Sequence, residues 1–283
     1  YGLATMLFKI ITELKPDYIT ACYDLPKKTF RHEAYKEYKA GRAKADEALI
    51  AQLIRSRDFF KALSIPMYEC EGFEADDLLG TIVEQNKNKK NLKIIIASGD
   101  MDTLQLVNDD KVCVYTLKKG INDTILYNQK EVFKRFSFEP EFLPDYKGLR
   151  GDPSDNIIGI KGIGEKTATT IIKEFHTLEN LFKELKKNPQ EVKKLGLTDR
   201  IMDLLKNGEE EAIFSKTLAM IRRDAPINFK LPEKKWKETV VTENVAEFFR
   251  ELEFKSLQGR FLNLFNEGQE NKVAKKEKDI IRP

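Results

Sequence analysis

Histidine, tryptophan and cysteine are scarce in this sequence. Its 283 residues include two histidines, one tryptophan and three cysteines. The cysteines, Cys22, Cys70 and Cys113, are odd in number and form no C-x-x-C pair, so they support neither a disulfide framework nor a zinc site. With His32 and His176 as the only histidines, general-base catalysis by imidazole is not favoured. The composition therefore indicates a reducing, cytoplasmic setting.

Long apolar runs and stretches rich in glycine or proline are also missing. Apolar residues make up 41% and charged residues 34% of the chain, with 15 glycines and 10 prolines. These values are typical of globular proteins and not of disordered or fibrous ones. The longest apolar runs, such as 94–97, fall far short of the roughly 20 residues that a membrane span needs. A transmembrane protein is excluded, and the length suits one large or two small domains.

Charge is present in both signs but is unevenly distributed. The formal net charge is only +3. Residues 69–77 nevertheless hold five carboxylates and no base, whereas residues 27–42 hold six Lys or Arg against two Glu. This separation indicates an acidic pocket beside a basic surface, which suits a metal-dependent enzyme acting on a polyanion. Chance clustering on solvated helices is the alternative.

Hydrophobic patterning predicts an α/β region followed by a helical one. Strands are predicted at 18–23, 93–97 and 112–117, with helices at 46–63 and from Glu74 onward and a short helix at 104–107. This alternation is typical of an α/β domain with a mostly parallel sheet flanked by helices. Three regions follow: a core over 1–130, a helical region over 131–266 and a charged linker or tail over 267–283. Because Tyr1-Gly2-Leu3 opens at helical spacing without Met, the chain is expected to be a fragment.

Eight carboxylates fall at predicted strand ends, at a helix start or in one loop. They are Asp24, Glu74, Asp76, Asp77, Asp100, Asp102, Asp152 and Asp155. Ligands of open α/β sheets bind beyond the carboxyl ends of the strands, so we expect these groups to converge. Oxygen-only ligands select Mg²⁺ or Mn²⁺, and the chemistry indicated is two-metal phosphodiester hydrolysis. For single residues simpler explanations exist, because acids favour a helix N-terminus and Asp-Pro-Ser-Asp is an ordinary turn composition.

A glycine-rich segment at 159–168, GIKGIGEKTA, lies between helical stretches. Gly162 and Gly164 allow close approach of a phosphate, and the first amides of the next helix point at the anion. Lys161 and Lys166 flank them. The spacing predicts a helix-hairpin-helix that binds the nucleic-acid backbone without reading bases. A tight interhelical turn is the alternative, and a dinucleotide fingerprint is disfavoured because the G-x-G-x-x-G pattern after a strand is absent.

The segment 30–42, FRHEAYKEYKAGR, mixes bases with aromatic residues. Such mixtures hold phosphates and stack unpaired nucleotides. Arg31, Lys39 and Arg42 are candidates for placing positive charge at a scissile phosphate. A solvated helix face is the alternative.

Five motifs in this order resemble one family. They are TFRHEAYKEYKAGR (29–42), GFEADD (72–77), SGDMD (98–102), GDPSDN (151–156) and GIKGIGEKTA (159–168). Together they resemble the 5′-3′ exonuclease domain of bacterial DNA polymerase I, a relative of the flap endonucleases, over residues 1 to about 266. The resemblance implies a PIN-like α/β core with a C-terminal helical region, and removal of 5′ flaps and RNA primers in replication and repair.

The resemblance also implies a role for each matching residue. Asp24, Glu74 and Asp76 would bind a first Mg²⁺, and Asp100, Asp102, Asp152 and Asp155 a second, with Mn²⁺ as a substitute and Asp77 in the outer shell. Arg31 and Lys39 would be catalytic. The residues implied to contact DNA are Arg31, Tyr38, Lys39, Arg42, Lys161, Gly162, Gly164, Lys166 and Thr167. A K⁺ ion at the hairpin is a further expectation.

The partners implied are branched or nicked duplex DNA with a 5′ flap, an RNA primer and a covalently linked polymerase domain, with the protein a monomer away from membranes. Family members begin with a strand that carries another metal-binding Asp. The resemblance implies that this strand is missing here, so we expect low activity and reduced stability. The rival hypothesis is a non-catalytic, structure-selective DNA-binding module.

Overall fold

The structure is a computed structural model that describes residues 1–119 and 123–265. The predicted charged tail at 267–283 lies outside the described residues. No helix within the described ranges is both long and apolar enough to cross a bilayer.

The strands form two small sheets. They are β1 (Ala21–Cys22), β2 (Met67–Tyr68), β3 (Ile94–Ala97), β4 (Val112–Lys119) and β5 (Asp123–Tyr127). β1 pairs with β2 in parallel, with Ala21 opposite Met67. In the second sheet, β3 pairs in parallel with β4, and β5 joins β4 antiparallel. Of the three predicted strands, those at 18–23 and 93–97 are present in shorter form, and the one at 112–117 begins as predicted and extends to Lys119, whereas β2 and β5 were not predicted.

Helices make up most of the remaining described chain. They are α1 (Gly2–Leu14), α2 (Phe30–Ala34), α3 (Glu47–Ala62), α4 (Ala75–Asn86), α5 (Gln129–Phe136), α6 (Leu143–Arg150), α7 (Glu165–Phe175), α8 (Leu178–Lys187), α9 (Pro189–Lys193), α10 (Asp199–Asn207), α11 (Glu209–Ala219), α12 (Trp236–Thr239) and α13 (Thr242–Glu251). Two 3₁₀ helices span Met101–Leu106 and Pro140–Phe142. The short helix predicted at 104–107 is therefore 3₁₀ and begins earlier.

Polar caps explain where several helices begin. The Asp46 carboxylate accepts the Ala48 amide at 2.6 Å before α3. Thr177 and Thr198 accept amides of Asn180 and Ile201 at the starts of α8 and α10. These side chains satisfy amide groups that the first helical turn leaves unpaired.

The described chain divides into two compact units, of which the first comprises residues 1–23, 44–68 and 228–265. Its core is aromatic: Phe8 packs edge-on against Phe249 at 5.9 Å between ring centroids, and Phe59 stacks on Phe248 at 6.0 Å. Trp236 is buried and donates its indole N–H to the Leu63 carbonyl at 2.8 Å. The unit is therefore held together by three separated stretches of sequence.

The second unit comprises residues 24–43 and 69–227. It contains the three-stranded sheet, α2 and α4–α11, around a core of aliphatic residues. α6 packs closely on α11, where a Cβ on Gly148 would lie 2.8 Å from the Ala212 carbonyl oxygen. Only glycine permits this approach. Every residue predicted for the site lies in this second unit.

Candidate active site

The first turn of α4 carries three of the predicted acids. Glu74 is the N-cap, and its amide donates to the Asp77 carboxylate at 3.0 Å in a reciprocal capping box. Asp77 is fully buried, whereas Asp76 is partly exposed. One turn of helix therefore directs Asp77 into the protein and leaves Asp76 near the surface.

Arg31 neutralises Asp77 inside the protein. Its guanidinium donates two hydrogen bonds of 2.8 Å to the two oxygens of Asp77. It also donates to the carbonyls of Leu218 and Met220 at 2.8 and 2.7 Å. Burial opposes the charge, but Asp77 and Glu74 outweigh it and raise the pKa of Arg31. Arg31 is 3% exposed, so its donors face protein groups instead of the phosphate that the sequence predicts.

Tyr38, Lys39 and Arg42 connect Glu74 with Asp155. The Tyr38 hydroxyl lies 3.0 Å from Asp155 and 3.1 Å from Glu74. Lys39 donates to Glu74 at 2.8 Å, and Arg42 to Asp155 at 2.6 Å. Burial, reinforced by the two carboxylates, raises the pKa of Tyr38. Tyr38 is only 3% exposed, so its ring belongs to the interior of the site and offers no surface for stacking a nucleotide.

Lys147 on α6 bridges Asp102 and Asp152. Its ammonium donates to one oxygen of each carboxylate. The other Asp152 oxygen accepts the amide and hydroxyl of Ser154 at 2.9 and 2.6 Å. Burial raises the pKa of Asp102 to about 6, against the lowering effect of Lys147. For Asp152, Lys147 and Ser154 overcome burial and lower the pKa.

Lys147 is a residue of the site that the sequence motifs did not predict. The signal available was a lysine five residues before Asp152, in a helix that also carries Asp145 and Arg150. A buried lysine requires a partner of opposite charge. That requirement alone does not say which acids are its partners.

Two glycines close the loop that carries Asp152 and Asp155. Gly151 and Gly159 both have positive φ, 77° and 62°. A Cβ on Gly159 would lie 2.2 Å from the Gly151 amide nitrogen, and one on Gly151 would lie 2.4 Å from the Ile158 oxygen. An antiparallel β-bridge between the backbones of Asp152 and Ile157 also holds the two ends of the loop together. The loop therefore holds both aspartates against the rest of the site.

Asp24, Asp76 and Asp100 have no cationic partner among residues 1–119 and 123–265. Asp24 accepts the Ala75 amide at 2.7 Å, and Asp100 accepts the Asp102 amide at 2.9 Å. Burial, followed by the charges of Asp100, Asp102, Asp24 and Glu74, raises the pKa of Asp76 to about 8. Acids from separate parts of the chain thus lie within electrostatic reach of Asp76.

The donor set fits a hard divalent cation. All eight side chains offer only oxygen, which suits Mg²⁺ or Mn²⁺. Five of the eight already meet lysine or arginine groups, and within the described ranges no three acidic, histidine or cysteine side chains form a ready-made cage for a metal ion. Burial and then the nearby acids raise the pKa of Asp76, and a bound cation would offset both effects.

The predicted hairpin lies between α6 and α7. Gly162 has φ of 101°, and Gly164 is the N-cap of α7 with open space beside it. Ile160 and Ile163 are buried and anchor the turn. Lys161 and Lys166 are exposed, and Thr167 is partly exposed. The turn therefore presents lysines and a helix N-terminus to solvent.

The α/β core carries carboxylates from several segments, and the helical region presents a cationic hairpin. These features together are typical of a nuclease. Comparison with protein families agrees. Residues 1–137 match the 5′-3′ exonuclease N-terminal resolvase-like domain, and residues 138–241 match the 5′-3′ exonuclease C-terminal SAM fold.

Curated relatives lead to the same family. The chain is 36% identical over 282 residues to DNA polymerase I of Bacillus caldotenax, covering 100% of this chain and 30% of that protein. It is 38% identical over 256 residues to DNA polymerase I of Chloroflexus aurantiacus, covering 90% of this chain and 26% of that protein. The chain therefore spans less than a third of these relatives.

Solved structures share the fold. T5 5′-exonuclease with bound divalent metal ions superposes with a TM-score of 0.63 at 18% identity, covering 94% of this chain and 89% of that one. The catalytic core of Rad2 in complex with DNA substrate superposes with a TM-score of 0.55 at 15% identity, covering 93% of this chain and 83% of that one. The predicted α/β core with a helical C-terminal region is confirmed. The chain belongs to the 5′-3′ exonuclease family, and the curated relatives that it matches here are DNA polymerase I proteins.

Proposed function

We propose that this domain removes nucleotides from the 5′ ends of DNA and cuts 5′ flaps, using two divalent cations. The observation that carries the proposal is the setting of Asp76, which has no cationic partner among the described residues and whose pKa is raised to about 8 by burial and by nearby acids. A carboxylate buried beside other acids costs stability unless a cation offsets the charge, and groups with such perturbed pKa values are candidates for a functional site. The same observation favours an enzyme over a non-catalytic DNA-binding module.

The ligand sets that we propose divide the acids between the two ions. Asp24, Glu74 and Asp76 would hold the first Mg²⁺ or Mn²⁺, and Asp100, Asp102, Asp152 and Asp155 the second. Asp77 would act from outside, because Arg31 already occupies both of its oxygens. When bound, such a pair of cations activates water and stabilises the leaving oxygen of the phosphodiester.

The cationic side chains would have different tasks. Lys39 is partly exposed, and the Arg42 side chain is 52% exposed, so both can turn from Glu74 and Asp155 toward a phosphate. Arg31 cannot do so without leaving Asp77 buried and unpaired. We therefore assign substrate contact to Lys39 and Arg42, and positioning of the α4 acids to Arg31.

The hairpin would hold the duplex. Exposed Lys161 and Lys166 and the amides that follow Gly164 suit a phosphate backbone, and a K⁺ ion at the turn would add to this binding. Replacing both lysines with alanine should reduce the slope of log affinity against log salt by about 1.8, at 0.9 for each phosphate contact. An unchanged slope would exclude the lysines from the interface.

The relatives support a biological setting for the domain. Curated matches include DNA polymerase I proteins, and structures of Rad2 and T5 nucleases that share the fold contain DNA. We propose that the domain is linked to a polymerase, acts on nicked or flapped DNA and on RNA primers in the bacterial cytoplasm, and functions as a monomer.

A cleavage assay tests the proposal. A 5′-labelled flap duplex is incubated with Mg²⁺, with EDTA and with EDTA followed by excess Mg²⁺. We expect cleavage only where free Mg²⁺ is present. Asp100→Asn should abolish cleavage and retain flap binding, whereas Asp109→Asn, an exposed acid outside the site, should behave as the wild type. Flap binding by the wild type with no cleavage in Mg²⁺ or Mn²⁺ would favour the binding module.

A further inference from the structure

Lys147 contacts two of the carboxylates that we propose as ligands of the second cation. Its side chain is 10% exposed, and its ammonium lies between Asp102 and Asp152. Asp102 comes from the 3₁₀ helix Met101–Leu106, and Asp152 from the loop after α6. Lys147 therefore joins two elements through carboxylates that we also propose as ligands of one cation.

The hydrogen bonds of Asp152 leave little freedom. One of its oxygens accepts both the amide and the hydroxyl of Ser154. The remaining oxygen is the one that Lys147 contacts. Any cation that binds Asp152 through this second oxygen meets the ammonium at the same place.

The carboxylates that Lys147 contacts differ in charge balance from the other acids of the site. Asp24, Asp76 and Asp100 lack a cationic partner within the described residues, whereas Lys147 neutralises Asp102 and Asp152. A divalent cation entering the first ligand set, Asp24, Glu74 and Asp76, meets the ion pair of Glu74 with Lys39, whose side chain is 20% exposed and can turn away. One entering the second set must displace the ammonium of Lys147, whose side chain is only 10% exposed and is held by two carboxylates.

Resting on the proposed function, we propose that Lys147 is a built-in competitor of the second divalent cation. Its ammonium holds Asp102 and Asp152 together until the ion binds, and it must withdraw from the Asp152 oxygen when the ion does. Lys147 is thus a positioning residue that acts through the two aspartates. It makes the second ion bind more weakly than the acids alone would bind it.

Lys216 provides a matched control. It also bridges two carboxylates, Asp145 at 2.7 Å and Glu179 at 2.8 Å, and its side chain is 14% exposed. Neither acid is a proposed ligand. Lys216→Met therefore removes a similarly buried ammonium without changing the site.

Mn²⁺ binding to the whole chain, followed by electron paramagnetic resonance, tests the proposal without any cleavage reaction. We expect Lys147→Met and Lys147→Gln to bind the weaker of two Mn²⁺ ions roughly tenfold more tightly, because a unit positive charge beside it is gone. Lys147→Arg and Lys216→Met should bind it as the wild type does. In EDTA, Lys147→Met should melt at a lower temperature, and Mn²⁺ should raise that temperature more than in the wild type.

Each other outcome is decisive. If Lys147→Met or Lys147→Gln folds and binds the weaker ion no more tightly than the wild type, the competitor role is overturned while the proposed function stands. If neither variant folds even with Mn²⁺, the ammonium is structural and the competitor role is likewise wrong. If the wild type binds no Mn²⁺, the proposed function itself fails, and this inference fails with it.

Discussion

At the residue scale, the site is decided by which carboxylates are neutralised. Asp77 lies deepest and is fully paired with Arg31, whereas Asp76, its neighbour in sequence, has a pKa raised to about 8 by burial and by nearby acids. Two adjacent aspartates on one helical turn thus have different neighbours: Asp77 faces an arginine, and Asp76 faces other acids. The packing around each side chain, and not the residue type, produces this contrast.

Asp76 should make the metal-free protein more stable as the pH falls. The pKa of Asp76 is about 8 in the folded protein, against an ordinary value of 3.8. Between these two pH values the folded state binds a proton more strongly than the unfolded state does, so protonation stabilises the fold. We expect the melting temperature in EDTA to rise as pH is lowered from 8.5 to 6.5. Asp76→Asn should weaken this dependence, raise the melting temperature at pH 8.5 and reduce the stabilisation by Mg²⁺. Asp109→Asn serves as the control, and an identical pH profile for both variants would contradict the assignment.

Arg31 should matter more for stability than for contact with substrate. Arg31→Met leaves the Asp77 carboxylate buried without its main partner, at a cost of about 3–5 kcal/mol in the free energy of unfolding. The double variant with Asp77→Asn should lose less than the sum of the single variants, as urea denaturation would measure. Wild-type stability combined with lost cleavage in Arg31→Met would instead return Arg31 to the role that the sequence predicted.

At the element scale, the loop between Gly151 and Gly159 positions two of the acids. Gly159→Ala places a Cβ 2.2 Å from the backbone nitrogen of Gly151. Gly159 also has a φ of 62°, which alanine rarely adopts. We expect a loss of about 1–3 kcal/mol from backbone strain alone and a smaller rise of melting temperature on adding Mg²⁺. Gly164→Ala has open space and no positive φ, so it should melt close to the wild type. Equal melting temperatures for the two variants would show that the loop accommodates the methyl group.

Local sequence predicted some elements and not others. The start of α3 after Asp46 and that of α4 after Glu74 follow from capping chemistry, which depends on neighbours within one turn. β3 and β4 follow from short β-branched runs. β2 consists of two residues that become a strand only by pairing with β1, which is far away in sequence, so this pairing leaves no local signal. β5 follows β4 closely in the chain and pairs with it antiparallel, but its short run was not recognised as a strand.

At the scale of the whole molecule, the first unit is assembled from separated stretches of sequence. Phe8 and Phe59, from α1 and α3, share a core with Trp236, Phe249 and Phe261. Each such side chain contributes roughly 1.5–3 kcal/mol when fully buried. Residues 1–23 and 44–68 therefore depend on those after 227.

A chain that ends at residue 227 should lose the fold of the first unit. We expect increased binding of the dye ANS and a helical circular dichroism signal reduced by more than the missing residues explain. A chain that ends at residue 265 should retain the buried tryptophan fluorescence of Trp236 and bind little dye. Native-like helicity and low dye binding in the shorter chain would contradict the shared core.

The chemical groups of the site and the order of the elements can be read from the amino-acid sequence: eight carboxylates in spaced motifs, a cationic segment, a glycine hairpin and an α/β region followed by helices. These follow from residue type and short-range periodicity. The tertiary structure alone decided that Arg31 belongs to Asp77, that Tyr38 joins Glu74 to Asp155, and that Lys147 lies between Asp102 and Asp152. Ion pairing and burial depend on distances between remote segments, and only packing sets those distances.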